Sequence, residues 1–297
     1  MPQSLDLTVM REIAPQAKVS PEARVGPFCV IGPEVTIGPG TVLGRRVTVT
    51  GRSTLGRDNL IDDGCVLGAA PQDLKYAGRP TLLMIGDRNR LGPNVTAHVG
   101  TEPGGYLTRI GNDNVIDSGA HVAHDCYVDD RTRLAASVLL GGHVRVETGA
   151  VIEELSGIHH FTTVGRYSWT GSRTAVRRDV PPFTRFAAAG IGSSGTVLGV
   201  HEAGLAAAGL SPQERLAVRQ AVQHLFHDEQ ALIVKVHEML EDGNLFPAVR
   251  ELCLYCLRTL AGRFGRHRET LRGKVPPEAR QYLPPDVLAA LEKERRG

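Results

Sequence analysis

The chain has 297 residues, 34 basic and 32 acidic side chains for a formal net charge of +2, 34 glycines, 18 prolines and only 5% aromatic residues. That length supports a full hydrophobic core in one or two domains, and the near balance of charge argues against a general nucleic-acid partner. No apolar run is long enough to span a bilayer, the opening "MPQSLDLTVMREIAP" lacks a signal-peptide pattern, and five scattered cysteines fit reduced thiols in a cytoplasmic protein.

From Ile13 onward an aliphatic residue returns every sixth position: Val19, Val25, Ile31, Ile37, Leu43, Val49, Leu55, Ile61, Leu67. A break near 70–84, carrying "QDLKYAGRPTLL", interrupts the count, which resumes at Ile85, Leu91 and Ala97. After a second break near 102–109, with "PGGYLTR", it runs from Ile110 to Val176. Neither a helix nor a simple alternating strand has this period; a parallel β-helix of hexapeptide repeats does, three hexads closing one triangular coil. Coils then stack at the ~4.8 Å spacing of paired strands. The fifth residue of each hexad is expected to be small and inward, which assigns Cys29, Cys65 and Cys126 to the core as packing residues.

After "VPPF" the period stops. The expected organisation is a β-helix over 1–182, a linker over 183–210 and an α-helical domain with a basic tail over 211–297. Ser211, Pro212 and Glu214 spell a capping box with proline at the first helical position. Further on, "FPAVRELCLYCLRTLAGRFGRHR" reads as a helix ending in a basic cluster, with Cys253 and Cys256 as packing residues rather than a zinc or redox pair.

Residues 18 apart share one face of such a prism. The hexads led by Val122, Leu140 and Ile158 are 18 apart and therefore stack, carrying His124, His143, and the adjacent His159 and His160 on one face; counting through the second break adds His98, with His121 at the adjoining corner. Both breaks leave the prism beside this face, and loops on a rigid scaffold are where function concentrates. Neutral imidazole is a competent base near neutral pH, and Asp125 directly follows His124 and is placed to orient it. Zinc is the competing use of three histidines, but its ligands must converge at ~2 Å, which side chains spaced along a face do not do within one chain. No metal or other cofactor is expected.

At "GAHVAHDCYV", "APQDLKYAGRPT", "NVTAHVGT", "LGGHVRV" and "GRDNLI" the chain closely resembles the bacterial acyl-[acyl-carrier-protein]–UDP-N-acetylglucosamine O-acyltransferases, from about residue 13 to residue 210. The resemblance implies a left-handed β-helix, a homotrimer with active sites between neighbouring prisms, and direct transfer of a (3-hydroxy)acyl chain from acyl carrier protein to the sugar 3-hydroxyl, opening lipid A synthesis. It makes His124 the general base, Asp125 its orienting partner and the Gly142 N–H a donor to the thioester oxyanion. Asp73 and Lys75 match residues that hold the sugar nucleotide, with Gln72 beside them; His98, His121, His143 and His159 match pocket residues, and His160 stands where glutamine is usual. Trp169 and Ser172, on the next outward face, are candidates to limit the acyl chain. Basic residues near the C-terminus are candidates to meet acyl carrier protein.

The chain also departs from the pattern. Ala206, Ala207 and Ala208 replace basic residues that contact the nucleotide, His201 and Ala203 replace usual Asn and Glu, and Glu153 and Glu154 replace glycines. Arg177, Arg178 and Arg185 are candidates to compensate. Two alternative readings follow: a paralogue that acylates another sugar nucleotide, at an amine for instance, and a catalytically silent β-helix that binds acyl carrier protein. A zinc hydratase of the carbonic anhydrase type is a third.

Overall fold

The structure, a computed structural model, describes residues 10–190 and 193–294. It divides into two compact units, the described parts of Met1–Tyr127 with Leu271–Gly297, and Val128–Thr270. Both units carry coils of a left-handed parallel β-helix built from very short strands, and helices follow the coils of the second.

In the first unit the register reproduces the expected repeat: Ile13 pairs with Ile31, and Ile31 with Val49. The excursions appear as longer steps, since Leu67 pairs with Ala97 and Ala97 with Val122. Hexad leads fill the prism, with Ile31, Leu55, Leu67 and Leu91 at most 1% exposed. The small fifth slot holds Cys29 and Cys65, both wholly buried; burial raises both thiols, that of Cys65 to about 11. Cys126 is likewise fully buried.

Three of these slots hold asparagine instead. The Asn59 side-chain oxygen accepts from the Asn89 backbone N–H at 2.9 Å and side-chain amide at 3.0 Å, and Asn89 in turn accepts from the Asn114 N–H at 3.0 Å. This buried ladder satisfies backbone groups where the chain turns a corner. Corner residues such as Phe28, Arg46 and Arg88 adopt left-handed backbone, with φ of 60°, 54° and 55°. Such φ values are rare for bulky residues, but they let Arg46 donate its N–H to the Pro27 carbonyl and Arg88 to that of Arg57.

The second unit continues the pattern, with Leu134 opposite Ile152, Leu140 opposite Ile158 and Val146 opposite Val164. Its coils end in an antiparallel pair, Thr184–Ala187 with Thr196–Val200. Four helices follow: α1 (Glu202–Ala207), α2 (Pro212–His227), α3 (Leu232–Glu241) and α4 (Pro247–Ala261). The capping box is formed, the Ser211 hydroxyl accepting from the Glu214 N–H at 3.3 Å and the Glu214 carboxylate from the Ser211 N–H at 3.0 Å. Val218, Val222, Leu225, Val236 and Leu252 build the helical core.

Cys253 and Cys256 lie in that core. Burial pushes their thiols up to about 11 and about 12, so they are packing groups. The Tyr255 hydroxyl donates to the Thr163 carbonyl at 2.9 Å, seating α4 on a coil of the same unit. No helix among the described residues is long and apolar enough to cross a membrane.

Candidate active site

In the first unit the strand His121–Val122 runs into a corner at which Asp125 takes left-handed backbone, φ 59°. This conformation turns the Asp125 carboxylate back onto its neighbour, 2.8 Å from His124 Nδ1. Asp125 is fully buried; it accepts the Thr101 N–H at 2.8 Å and the Thr101 hydroxyl at 2.6 Å, while its own N–H donates to the Thr108 hydroxyl at 2.8 Å. A carboxylate oxygen facing Nδ1 selects the tautomer of His124 with hydrogen on that nitrogen, which puts the lone pair on Nε2.

Two further histidines adjoin this pair. His98 and His121 meet edge to face with ring centroids 5.0 Å apart, and His121 Nδ1 lies 2.7 Å from the Thr96 hydroxyl. Burial, then the nearby His121 and His124, pulls His98 down to about 4. Burial, then His124, also lowers His121. Among the described residues His98 Nδ1 has no hydrogen-bond partner, so a buried polar atom is left available to a ligand. The sequence puts these histidines on an outward polar face; the structure leaves His98 only 7% and His124 only 9% exposed.

Gln72, Asp73 and Lys75 lie together on the first excursion, where the Asp73 carboxylate accepts the Lys75 N–H at 2.9 Å. Gln72 and Lys75 are exposed. The second excursion fastens the first, because the Glu102 carboxylate accepts the Arg79 N–H at 2.9 Å and the Ala77 N–H at 3.4 Å. Among the described residues no hydrogen bond or ion pair joins Gln72, Asp73 or Lys75 to the histidines of this unit.

In the second unit the Gly142 carbonyl accepts the Phe161 N–H at 3.1 Å. The His143 ring stacks on Phe161 with centroids 4.1 Å apart, and its carbonyl accepts from Arg268 Nε at 3.0 Å. His159 and His160 pack with centroids 3.9 Å apart, and His160 Nε2 lies 3.7 Å from Glu269. Part of the basic cluster is therefore structural. Arg266 and Arg268 are 6% and 5% exposed, and Arg266 pairs with Glu269 at 2.7 Å, whereas Arg263 is exposed.

Trp169 is half-buried, its indole N–H donating to Glu153 at 2.9 Å and its face covered by Arg185 at 4.9 Å. One of the departing glutamates, and one of the arginines considered as compensation, are thus engaged with Trp169. Ser172 is exposed. His201 stands at the start of α1 with Nδ1 2.9 Å from the Tyr167 carbonyl, while Ala203, Ala206 and Ala207 are exposed and Ala208 is half-buried.

Not singled out in the sequence are Thr101, Gly104 and Thr108 beside His124 and Asp125, and Phe161 and Glu269 beside the second histidine group; Arg268 belongs to the basic cluster. Gly104 offered one signal, a glycine pair inside an excursion. Its cause is visible, since a β-carbon there would lie 2.0 Å from Asp125 Cγ.

Residues 107–142 match the bacterial transferase hexapeptide (six repeats) family. Among solved structures, the chain is similar to LpxA from Acinetobacter baumannii, with TM-score 0.77 and 30% identity over 82% of this chain and 94% of that one. It is similar to UDP-N-acetylglucosamine O-acyltransferase (LpxA) from Moraxella catarrhalis RH4, with TM-score 0.76 and 30% identity over 82% and 94%. A further UDP-N-acetylglucosamine acyltransferase matches with TM-score 0.77 and 30% identity over 83% and 93%. Repeat and coils together place the chain in the hexapeptide-repeat transferase class. Within that class, the chain belongs to the UDP-N-acetylglucosamine acyltransferase family.

Proposed function

We propose that this protein transfers a (3-hydroxy)acyl chain from acyl carrier protein to the 3-hydroxyl of UDP-N-acetylglucosamine, the first step of lipid A synthesis, as a cytoplasmic homotrimer. The observation that carries the reading is the buried Asp125 carboxylate 2.8 Å from His124 Nδ1. His124 Nε2 takes the proton of the sugar hydroxyl as that oxygen attacks the thioester carbonyl. The carbonyl π electrons move to oxygen, and the Gly142 N–H, assigned by its place in "LGGHVRV", donates to the resulting oxyanion. Collapse re-forms the carbonyl and breaks the carbon–sulfur bond, and the imidazolium returns its proton to the departing thiolate. No acyl-enzyme forms, so the protein needs a base and an oxyanion donor but no nucleophile.

Gln72, Asp73 and Lys75 are assigned to the sugar nucleotide, and His98, His121, His143, His159 and His160 to the walls of the pocket. Lowered affinities for protons keep His98 and His121 neutral at pH 7, so neither adds a positive charge against protonation of His124 during the reaction. Trp169 and Ser172 are assigned to the far end of the acyl chain, and exposed Arg263 to the acidic carrier protein.

A second reading is favoured by exposed, uncharged Ala203, Ala206 and Ala207 at the expected nucleotide end: the acceptor is a different sugar nucleotide, with an amine in place of the hydroxyl. Incubation with acyl-loaded carrier protein and either UDP-N-acetylglucosamine or its 3-amino analogue, followed by product mass, separates the two. The first reading expects the ester to form faster; a faster amide selects the second, and turnover of neither selects a silent binding protein.

A further inference from the structure

The turn that holds Asp125 is itself held by the C-terminal segment. Thr101 begins the turn, with the Tyr106 N–H returning to the Thr101 carbonyl at 2.8 Å and the Gly104 N–H to its hydroxyl at 3.1 Å. On one side Gly104 presses on Asp125, where a β-carbon would lie 2.0 to 2.3 Å from the carboxyl atoms. On the other side Gly105, at φ +106°, leaves no space before Pro276, whose Cδ would be 2.6 Å from a β-carbon. Tyr106, at φ 68° and 3% exposed, packs in one apolar cluster with Leu82, Leu107, Ala279, Leu283 and Val287.

Two polar contacts fasten the same segment. The Arg109 guanidinium lies 4.6 Å from the centre of the Tyr282 ring, and Arg52 grips the Asp286 carboxylate through bonds of 2.7 and 3.2 Å. A bidentate fork of this kind fixes orientation as well as distance.

We infer that residues 275–287 brace the Thr101 turn and so position Asp125 against His124, with Pro276 as the positioning residue at the point of contact. The physical need is clear from the turn's composition. "TEPGGY" has two adjacent glycines, which give up much backbone freedom on ordering, and neither can carry a side chain that would lock the turn from within. Hydrogen bonds within the turn close it, and contacts from outside hold it in place. Pro276 supplies a rigid ring against Gly105, and the buried apolar cluster supplies the force that keeps it there. When the brace is loosened, the turn fluctuates, Thr101 leaves the carboxylate for part of the time, and the ring of His124 loses its fixed tautomer and direction.

The inference rests on the reading of His124 and Asp125 as base and orienting partner, so its test measures both. Steady-state kinetics on the full-length enzyme compare Pro276→Gly, Tyr282→Ala and Tyr282→Phe, alongside His124→Ala and Asp125→Asn. Pro276→Gly should lower kcat about tenfold or more, because small misplacements of a catalytic group carry large penalties, with KM for both substrates nearly unchanged. Tyr282→Ala should do the same, and Tyr282→Phe, which keeps a ring over Arg109, should recover the rate. In an Asp125→Asn background Pro276→Gly should have almost no further effect, since both act through one interaction. A normal kcat in both Pro276→Gly and Tyr282→Ala, or an undiminished loss in the Asp125→Asn background, overturns the brace. An active His124→Ala would instead overturn the base assignment, which separates the two failures.

Discussion

Thr101 reaches across 24 residues of sequence to hold Asp125 twice, through its backbone N–H at 2.8 Å and its hydroxyl at 2.6 Å. The contact joins an irregular excursion to a regular corner. It makes the excursion part of the candidate catalytic machinery, because the same carboxylate faces His124.

Thr101→Val keeps the N–H and removes the hydroxyl. A hydrogen bond to a charged group is worth about 1.5–3 kcal/mol, so kcat should fall by about tenfold or more while substrate KM changes little. Single-turnover rates at saturating substrate check this. An unchanged rate would separate the Thr101 hydroxyl from the function of the dyad.

His98 gives the protein a specific acid sensitivity. Its proton affinity lies at about 4 in the folded state against 6.5 for the free group, so between those values the unfolded chain binds more protons than the folded one. Stability is therefore fully present above pH 6.5 and is lost as pH falls toward 4, by on the order of 3 kcal/mol from this residue. Thermal melts from pH 7 to 4 should show a steeper decline for the wild type than for His98→Gln. Parallel curves would contradict the assignment.

The five cysteines should resist alkylation. All are buried, and burial raises the thiols of Cys65 and Cys253 to about 11 and that of Cys256 to about 12. Iodoacetamide at pH 8 should leave the native protein unmodified, and should label every cysteine once denaturant is added. Rapid labelling of Cys253 or Cys256 in the native protein would return a reactive role to "CLYC".

Ala207→Arg combined with Ala208→Arg should lower KM for the sugar nucleotide by about two- to fivefold, the modest gain expected of a mostly exposed ion contact. Maximal rate should stay nearly constant, as for binding expressed equally in ground and transition states, and the gain should shrink at high salt. No change in KM would place nucleotide recognition elsewhere on the chain.

The parts legible in the sequence were those set by repetition. A hexad lead such as Ile31 or Leu91 must be buried in every coil, so its period survives in the sequence, and the jump in register from Leu67 to Ala97 follows from counting. Adjacency and period also made His124 and Asp125 visible. Three things were hidden. Left-handed corners at Phe28 and Arg46 contradict local preference, because hydrogen bonding between stacked coils overrides it. Thr101 and Gly104 sit in a stretch with no period, where only the folded chain shows what they touch. The packing of Ala279, Leu283 and Val287 against Tyr106 joins segments far apart in sequence, and no local pattern announces it.

His124, oriented by Asp125, is proposed as the general base. The most direct test is the rate of acyl transfer from acyl carrier protein to UDP-N-acetylglucosamine by His124→Ala, measured beside its melting temperature. A rate reduced by about 10²–10⁴-fold is expected in a protein that still folds and melts cooperatively, with the melt only modestly lowered by loss of the contact to buried Asp125, because general-base removal acts on the chemical step and the hexad core is left intact. Retention of more than about a tenth of the wild-type rate would contradict it.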